Sequence, residues 1–550
     1  MSIGLRARPQ VRTAAAMTAM LVCLSGCGGS TGSTDAALRP SEVPKATTTL
    51  PAATWIVEAE PSTLDPIFDF GYYDNTIIAN MCEPLVRLNG DLSTSDWLAK
   101  STMVNPTTWT YDLKPGITFW DGSPLTPEDV VYSLGRNLDE GVGSYFSSYY
   151  GRVKDVKQTG PSQVTVILKE PDALWNTSTI LTSGSYIVSK KFAEAAGKNF
   201  GAPGTGVMCT GPYKFGRWTS GDSITMEKNS NYWNHEVDVK TDKFKFVFLT
   251  DSAAQANALA TGQAQGMYVR DQTIIPRLQN TGGKLYYGPG LTYYFIAPTL
   301  KKGPMSNVKI RQALSKVVDR AGIVKSIFSS AGTPLRTLVG EDAWGPNEDV
   351  RKVFQTAYDS YPDETVDVEG AKQLVKEAGS PTEKVVVAYP TEGGAYQLKL
   401  ASVIQDAARS IGLNVELKPL SPAVAAQLYQ DPDAMAAADI DMISLSFNVN
   451  NADPFGMYQL FDPAAKGVDN YSRWEDPDAT RYLAEAAGTY DPVERAKLTV
   501  AAEKIIMNAL PFIPVMSVNA VLYMGPGVTG APASFSQIWS AWAADVGGSK

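Results

Sequence analysis

A single histidine, His235, serves the whole 550-residue chain. Histidine-bound zinc and Ser-His-Asp or Cys-His nucleophilic catalysis each need an imidazole in a constrained site. Unless His235 is itself that group, these chemistries are excluded. It sits in Asn231-Tyr232-Trp233-Asn234-His235-Glu236, a polar, loop-like stretch that reads as surface. Cysteine is nearly as scarce, at four residues. Beyond Leu24 no apolar run approaches the 18 or so residues of a spanning helix, so no transmembrane helix is expected. No Gly-rich Lys-Ser/Thr loop is present to cradle a nucleotide's phosphates. Positive charge is also in deficit: 48 Lys and Arg stand against 57 Asp and Glu, a net charge of −9. Nucleic acid calls for a basic patch, so it is not an expected partner.

What is present begins at the N-terminus. Arg6, Arg8 and Arg12 precede an apolar run from Thr13 to Leu24, the pattern of a secretory signal peptide. Its end, Leu24-Ser25-Gly26-Cys27, resembles a bacterial lipobox, which implies cleavage before Cys27 and a lipid on its sulfur. Residues 1–26 read as signal peptide and residues 27–53 as lipidated cysteine plus tether. Gly28-Gly29-Ser30-Thr31-Gly32-Ser33-Thr34 would be flexible, and Pro40, Pro44 and Pro51 would stretch the second half. From Gly28 to Ala53 such a leash reaches roughly 30 Å. The expected location is the outer face of the cell membrane, lipid-anchored.

Loss of residues 1–26 removes three arginines and no acid, so the net charge becomes −12. The body that remains exceeds one typical domain, and 44% hydrophobic residues supply a sizeable core. Cys23 leaves with the signal peptide and Cys27 takes the lipid. Cys82 and Cys209 then form an even pair in an oxidising compartment, either as a disulfide or as two separate buried thiols.

Along the body, Trp55-Ile56-Val57 reads as a strand and Asn75 to Met81 as a short helix. Thr108 to Leu113 alternates as a strand. Lys114-Pro115-Gly116 turns it, and Ile117 to Trp120 reads as a second strand. Thr126 caps a helix with Pro127 at its first position and Glu128 and Asp129 in its first turn. Phe244, Phe246 and Phe248 alternate, as do Val164, Val166 and Leu168. Ile310, Ala313, Leu314, Val317, Val318 and Ala321 share one helical face. Asp491-Pro492-Val493-Glu494 starts a helix that Pro511 stops. After residue 290 strands and helices alternate: Lys384–Ala388, Tyr396–Ile411, Asn414–Leu417 and Ile440–Phe447 predict an α/β unit.

The run Thr108 to Leu134 resembles the signature of the extracytoplasmic solute-binding proteins of ABC importers, the oligopeptide/dipeptide/nickel-binding family (family 5). Further matches follow in that family's order. They are Thr210 to Phe215, Glu227 to Trp233, Asn307 to Leu314 with Asp319-Arg320, Asn470 to Trp474, and Leu510 to Pro514. The resemblance implies an α/β, two-lobed periplasmic-binding-protein-like fold (class II type) with an extra subdomain in the first lobe. Lobe I would be 54–289 plus 512–550, with the insert at about 86–190, and lobe II would be 290–511. The chain would cross between lobes near Tyr293–Ala297 and Phe512–Val515, with ligand trapped between them by hinge closure.

The loop Ser446 to Pro454 follows the apolar strand Met442-Ile443-Ser444-Leu445, a place where α/β proteins bind ligands. Peptide-binding relatives carry an aspartate four residues before the proline, paired with the peptide's α-amino group. That position is Asn450 here, which supplies a hydrogen bond but no countercharge. Asp453 could substitute if the loop shifts, or these side chains could simply satisfy the loop's backbone. Candidate ligand-binding residues are Asn450, Asp453, Phe447, Asn448, Tyr293, Tyr294 and Tyr72, the aromatics being alternatively core. No catalytic residue, metal ligand or cofactor is expected. The function implied is a monomeric, lipid-anchored receptor handing peptides to an ABC permease and its ATPase. A non-peptide solute (a sugar or chelated metal), a signalling role, or least favoured an envelope hydrolase remain as alternatives.

Overall fold

In the computed structural model, two long strands, Lys284–Pro298 and Ile513–Met524, run antiparallel inside an eleven-stranded sheet. The structure describes residues 41–68, 71–300, 303–363, 365–391, 395–430, 434, 437–463 and 470–549. The expected signal peptide, Cys27 and residues 27–40 of the tether lie outside them.

On one flank of the long pair lie Met442–Asn448, Lys384–Pro390 and Asn414–Leu420. On the other lie Gly266–Tyr268, Ala53–Val57, Lys243–Phe248, Ser223–Lys228 and Tyr213–Thr219. The long strands belong to both flanks. Lys284–Gly288 pair with Met524–Ala520 beside the second group. Thr292–Pro298 pair with Asn448–Met442 of the first group, and Thr292–Tyr294 also face Val518–Met516. The register breaks between Gly288 and Thr292. A Cβ on Gly288 would stand 1.5 Å from the Ala533 carbonyl oxygen, and one on Gly290 1.9 Å from that of Val518. Only glycine permits this approach. The pairing of the two long strands is thus interrupted at 288–292, opposite 518–520. Tyr293–Ala297 and residues 513–515, where the crossings were expected, already lie inside the first group's ladder. Within that ladder the register shifts once more, between Tyr294 and Phe295.

The tether expectation also needs correction from Ser41 onward. The Ser41 amide donates to the Tyr287 carbonyl at 2.7 Å, Leu50 to Lys240 at 2.8 Å, and Thr48 bridges Gly548. Residues 41–53 are thus laid along the body, and the first strand begins at Ala53.

The inserted region carries its own four-stranded sheet, ordered Ala99–Asn105, Thr108–Leu113, Gln163–Leu168, Val153–Gln158. Ile117–Trp120 is not a strand. Turns on both sides compress it, and the Phe119 amide closes one of them onto the Ser123 carbonyl at 2.8 Å. The helix Pro127–Gly135 begins as expected, with Asp129 accepting the Thr126 amide at 3.0 Å.

The sequence motifs prove to be clamps. Glu83 is 2% exposed and accepts four hydrogen bonds: from Trp97 Nε1 (2.8 Å), Tyr232 Oη (2.5 Å), Thr210 Oγ1 (2.7 Å) and Trp233 Nε1 (2.9 Å). A buried carboxylate is tolerated when donors surround it. Beside it Cys82 and Cys209 are bonded, with Cα atoms 5.0 Å apart. Gly211 is fixed by close approach, a Cβ there falling 2.3 Å from the Met81 carbonyl oxygen. Arg311 donates to the Ala509, Leu510, Met305 and Ser306 carbonyls, and Arg320 Nε to that of Pro514 at 2.8 Å. Both hold the end of the helix Pro492–Ala509 where it enters the second long strand. The helix Val308–Val317 buries Ile310, Ala313, Leu314 and Val317. Ala321 is exposed, contrary to the shared-face expectation, because extended backbone at Val318 ends the helix and Asp319 caps a new one. Trp55 anchors the other flank's core, its ring 4.7 Å from Trp542 and 5.9 Å from Phe244.

Candidate functional site

A chamber of about 710 Å³ opens between the inserted region and the loop after the strand Met442–Asn448. The insert contributes Tyr149, Tyr150, Arg152, Lys154 and Lys169, and the loop contributes Phe447, Asn448, Asn450 and Leu460. Asn450 is partly exposed. Asn448 accepts a hydrogen bond from Thr292 Oγ1 at 2.7 Å, which fixes the start of the loop to the first long strand.

The chamber's rim is closed by contacts between the insert and the later chain. Arg152 reaches Asp462 at 3.3 Å and Glu170 at 2.9 Å. The Tyr490 hydroxyl donates to the Pro106 and Asp172 carbonyls at 2.8 and 3.1 Å. The Ala173 amide donates to the Ala487 carbonyl at 2.8 Å. Burial raises the Asp172 carboxyl above its usual range, with Arg152 acting against that rise.

A second, narrow cavity of about 20 Å³ lies at the crossing of the long strands. Tyr72, Arg270, Gln272, Thr292 and Tyr294 line it. Arg270 follows the strand Gly266–Tyr268, and its guanidinium stacks 4.0 Å above the Tyr72 ring. Burial pushes the Tyr72 hydroxyl up to about 12, with Arg270 pulling it back. From the opposite flank Tyr396, at the start of the helix Tyr396–Ser410, meets Tyr294 ring to ring at 6.0 Å. Thr292 lines this cavity, and its hydrogen-bond partner Asn448 lines the chamber.

The structure sorts the expected site residues into three groups. Phe447, Asn448 and Asn450 meet at the chamber. Tyr72 and Tyr294 meet at the floor cavity. Tyr293 and Asp453 line neither space. Tyr293 is fully buried and stacked on Phe295, because it faces the core side of its strand. Asp453 is held by Arg495 through Nε (3.0 Å) and Nη2 (2.8 Å) and also accepts the Phe455 amide at 3.0 Å. In this structure its charge is matched by Arg495. Sequence reasoning missed Arg270, Tyr396 and the insert's side chains. Arg270 had one available signal, a charged residue just past a short apolar strand. His235 is exposed, as expected. Among the described residues there is no group of three or more His, Cys, Asp or Glu that could hold a metal, and no helix long and apolar enough to cross a membrane.

Two flanks of one sheet share two long strands, with a walled chamber beside them. Comparison with known proteins gives the family: the chain belongs to the bacterial extracellular solute-binding proteins, family 5, whose middle region matches residues 92–468. It is 25% identical over 526 residues to the oligopeptide-binding protein OppA of Bacillus subtilis strain 168, covering 91% of this chain and 93% of that protein. It is 23% identical over 479 residues to the glutathione-binding protein GsiB of Escherichia coli K12, covering 85% and 89%. The solved structure of AgaA from A. tumefaciens R10 in complex with agropinic acid matches with a TM-score of 0.77 at 22% identity, covering 91% of this chain and 99% of that one. These relatives are named for the solutes they bind, and the chain is a solute-binding protein, not an enzyme.

Proposed function

We propose that this chain is the lipid-anchored receptor of an ABC importer, capturing short peptides in the chamber and delivering them to a membrane permease. The observation that carries the reading is the chamber itself, closed on one side by the insert and on the other by the loop 447–460, beside long strands whose pairing is interrupted at 288–292, opposite 518–520. Rotation about those segments would open the rim by parting Arg152 from Asp462 and Tyr490 from Pro106. A chamber of this volume suits a ligand of several residues. The lobes on this reading are 54–289 with 519–549, and 290–518. Cys27 would carry the lipid, and the protein would act as a monomer outside the membrane. Support for peptides comes from the relatives' names. Support for a non-peptide solute comes from Asn450, which offers no charge to a peptide's amine, and from a structural neighbour that holds agropinic acid.

Uptake of labelled short peptides by cells with and without the gene tests the proposal. Loss of uptake on deletion, restored by the intact gene, is expected. Unchanged uptake would reject import and leave ligand sensing.

A further inference from the structure

The chamber's mouth lies on the insert, where the lining residues Glu140, Ser147, Ser148, Lys154 and Lys169 are exposed. Arg152 stands among them and also lines the chamber, yet its side chain is only 13% exposed. Its guanidinium spans from one wall to the other. Nε meets Glu170 on the insert at 2.9 Å, and Nη2 meets Asp462 at 3.3 Å. Asp462 follows the short helix Gln459–Phe461, whose Gln459 and Leu460 line the facing wall. Its side chain is 1% exposed. Beside this pair the walls are joined again, by the Tyr490 hydroxyl on the Asp172 carbonyl at 3.1 Å and the Ala173 amide on the Ala487 carbonyl at 2.8 Å.

A planar fork with a different nitrogen on each wall is a bar across the chamber at this side. A solute that fits inside leaves the bar in place. A solute whose end runs out past Arg152 must part the guanidinium from Asp462, and that carboxylate has almost no contact with water to replace the cation. The protruding part gains only solvent contact in return. We propose that Arg152 is a length gate: it sets an upper limit on what the chamber takes, favouring solutes enclosed whole and rejecting longer chains of the same composition. This rests on the reading of the chain as a peptide receptor and adds the size class of its ligand. The selection is made by a contact between the walls, so it acts on length and not on the solute's charge or sequence. Specificity of this kind is a difference between two affinities, and the repulsive element is the cost of breaking the bar.

The test uses the purified full chain and a series of alanine-serine peptides from dipeptide to decapeptide, titrated by calorimetry. In the wild type, affinity should rise with length until the chamber is filled and then drop by about tenfold or more. Arg152→Gln shortens the bar from one wall, and Asp462→Asn removes its anchor on the other. Each should raise the affinity of the decapeptide relative to the best short peptide by about tenfold. An ion pair that served stability alone would weaken every length alike and leave that ratio unchanged, and this result would overturn the proposal. Wild-type binding of the decapeptide as tight as that of the short peptides, a comparison that needs no variant to fold, would overturn it while leaving peptide capture intact. If no peptide of any length binds the wild type, peptide capture fails, and this inference fails with it.

Discussion

Glu503 should make the protein less stable as pH rises toward neutrality. It sits on the helix Pro492–Ala509, 2% exposed, with Tyr458 donating to its Oε2 at 2.5 Å. Burial disfavours the charged carboxylate and pushes its pKa up to about 7 from an ordinary 4.5, with the Tyr458 and Tyr361 hydroxyls pulling it back. Because the folded value lies above the unfolded one, the folded state holds more protons between pH 4.5 and 7. The stability tied to this group is therefore fully present below pH 4.5, falls as pH rises through that window, and levels off above 7. A shift of this size amounts to about 3 kcal/mol. Glu503→Gln keeps an acceptor for Tyr458 and removes the titration. Urea denaturation followed by circular dichroism between pH 4 and 8 should show the variant about equal to wild type at the acid end and more stable by up to about 3 kcal/mol at pH 8. A variant destabilised equally at both ends, or a wild-type profile without the decline, would refute the assignment.

Glu83→Gln places an amide N–H₂ among four donors, so at least one of Trp97, Thr210, Tyr232 or Trp233 loses its acceptor. A cost of about 2–4 kcal/mol is expected, read by urea melts with tryptophan fluorescence. Cys82→Ala with Cys209→Ala releases a constraint across 127 residues, and chain entropy puts the loss near about 5 kcal/mol, measurable as a lowered melting temperature. Gly290→Ala forces a Cβ against the Val518 carbonyl at the crossing and should destabilise by at least about 1–3 kcal/mol in the same assay. Asn450→Asp adds a carboxylate at the chamber wall, and affinity for free-amine peptides over their N-acetylated forms should rise about tenfold in calorimetry.

Strands and helices with strong periodicity were legible from the sequence. The Asn414–Leu420 and Met442–Asn448 strands, the Asp491-capped helix and the Tyr396–Ser410 helix lie within a few residues of their expected bounds, because local patterning and capping agree with the burial that tertiary structure imposes. Ile117–Trp120 and Ala321 misled for one reason: apolar spacing continued past a point where a turn had already redirected the backbone. Tyr293–Ala297 and Phe512–Val515 look apolar enough to be central, whereas the close approaches of Gly288 and Gly290 are to Ala533 and Val518, far away in the chain. In the site, the loop 447–450 was visible as polar residues after an apolar strand. Asp453 was not readable as spent, because its partner Arg495 lies 42 residues away. Arg270 was hidden for the same kind of reason: its setting is made by Tyr72, Tyr294 and Tyr396, which are far apart in the chain.

Mass spectrometry of what copurifies with the protein tests the central claim most directly. The full chain, purified gently, should show extra mass under native conditions that is released as short peptides on denaturation. A protein that carries nothing and shows no melting shift with a broad peptide pool would contradict capture of peptides in the chamber.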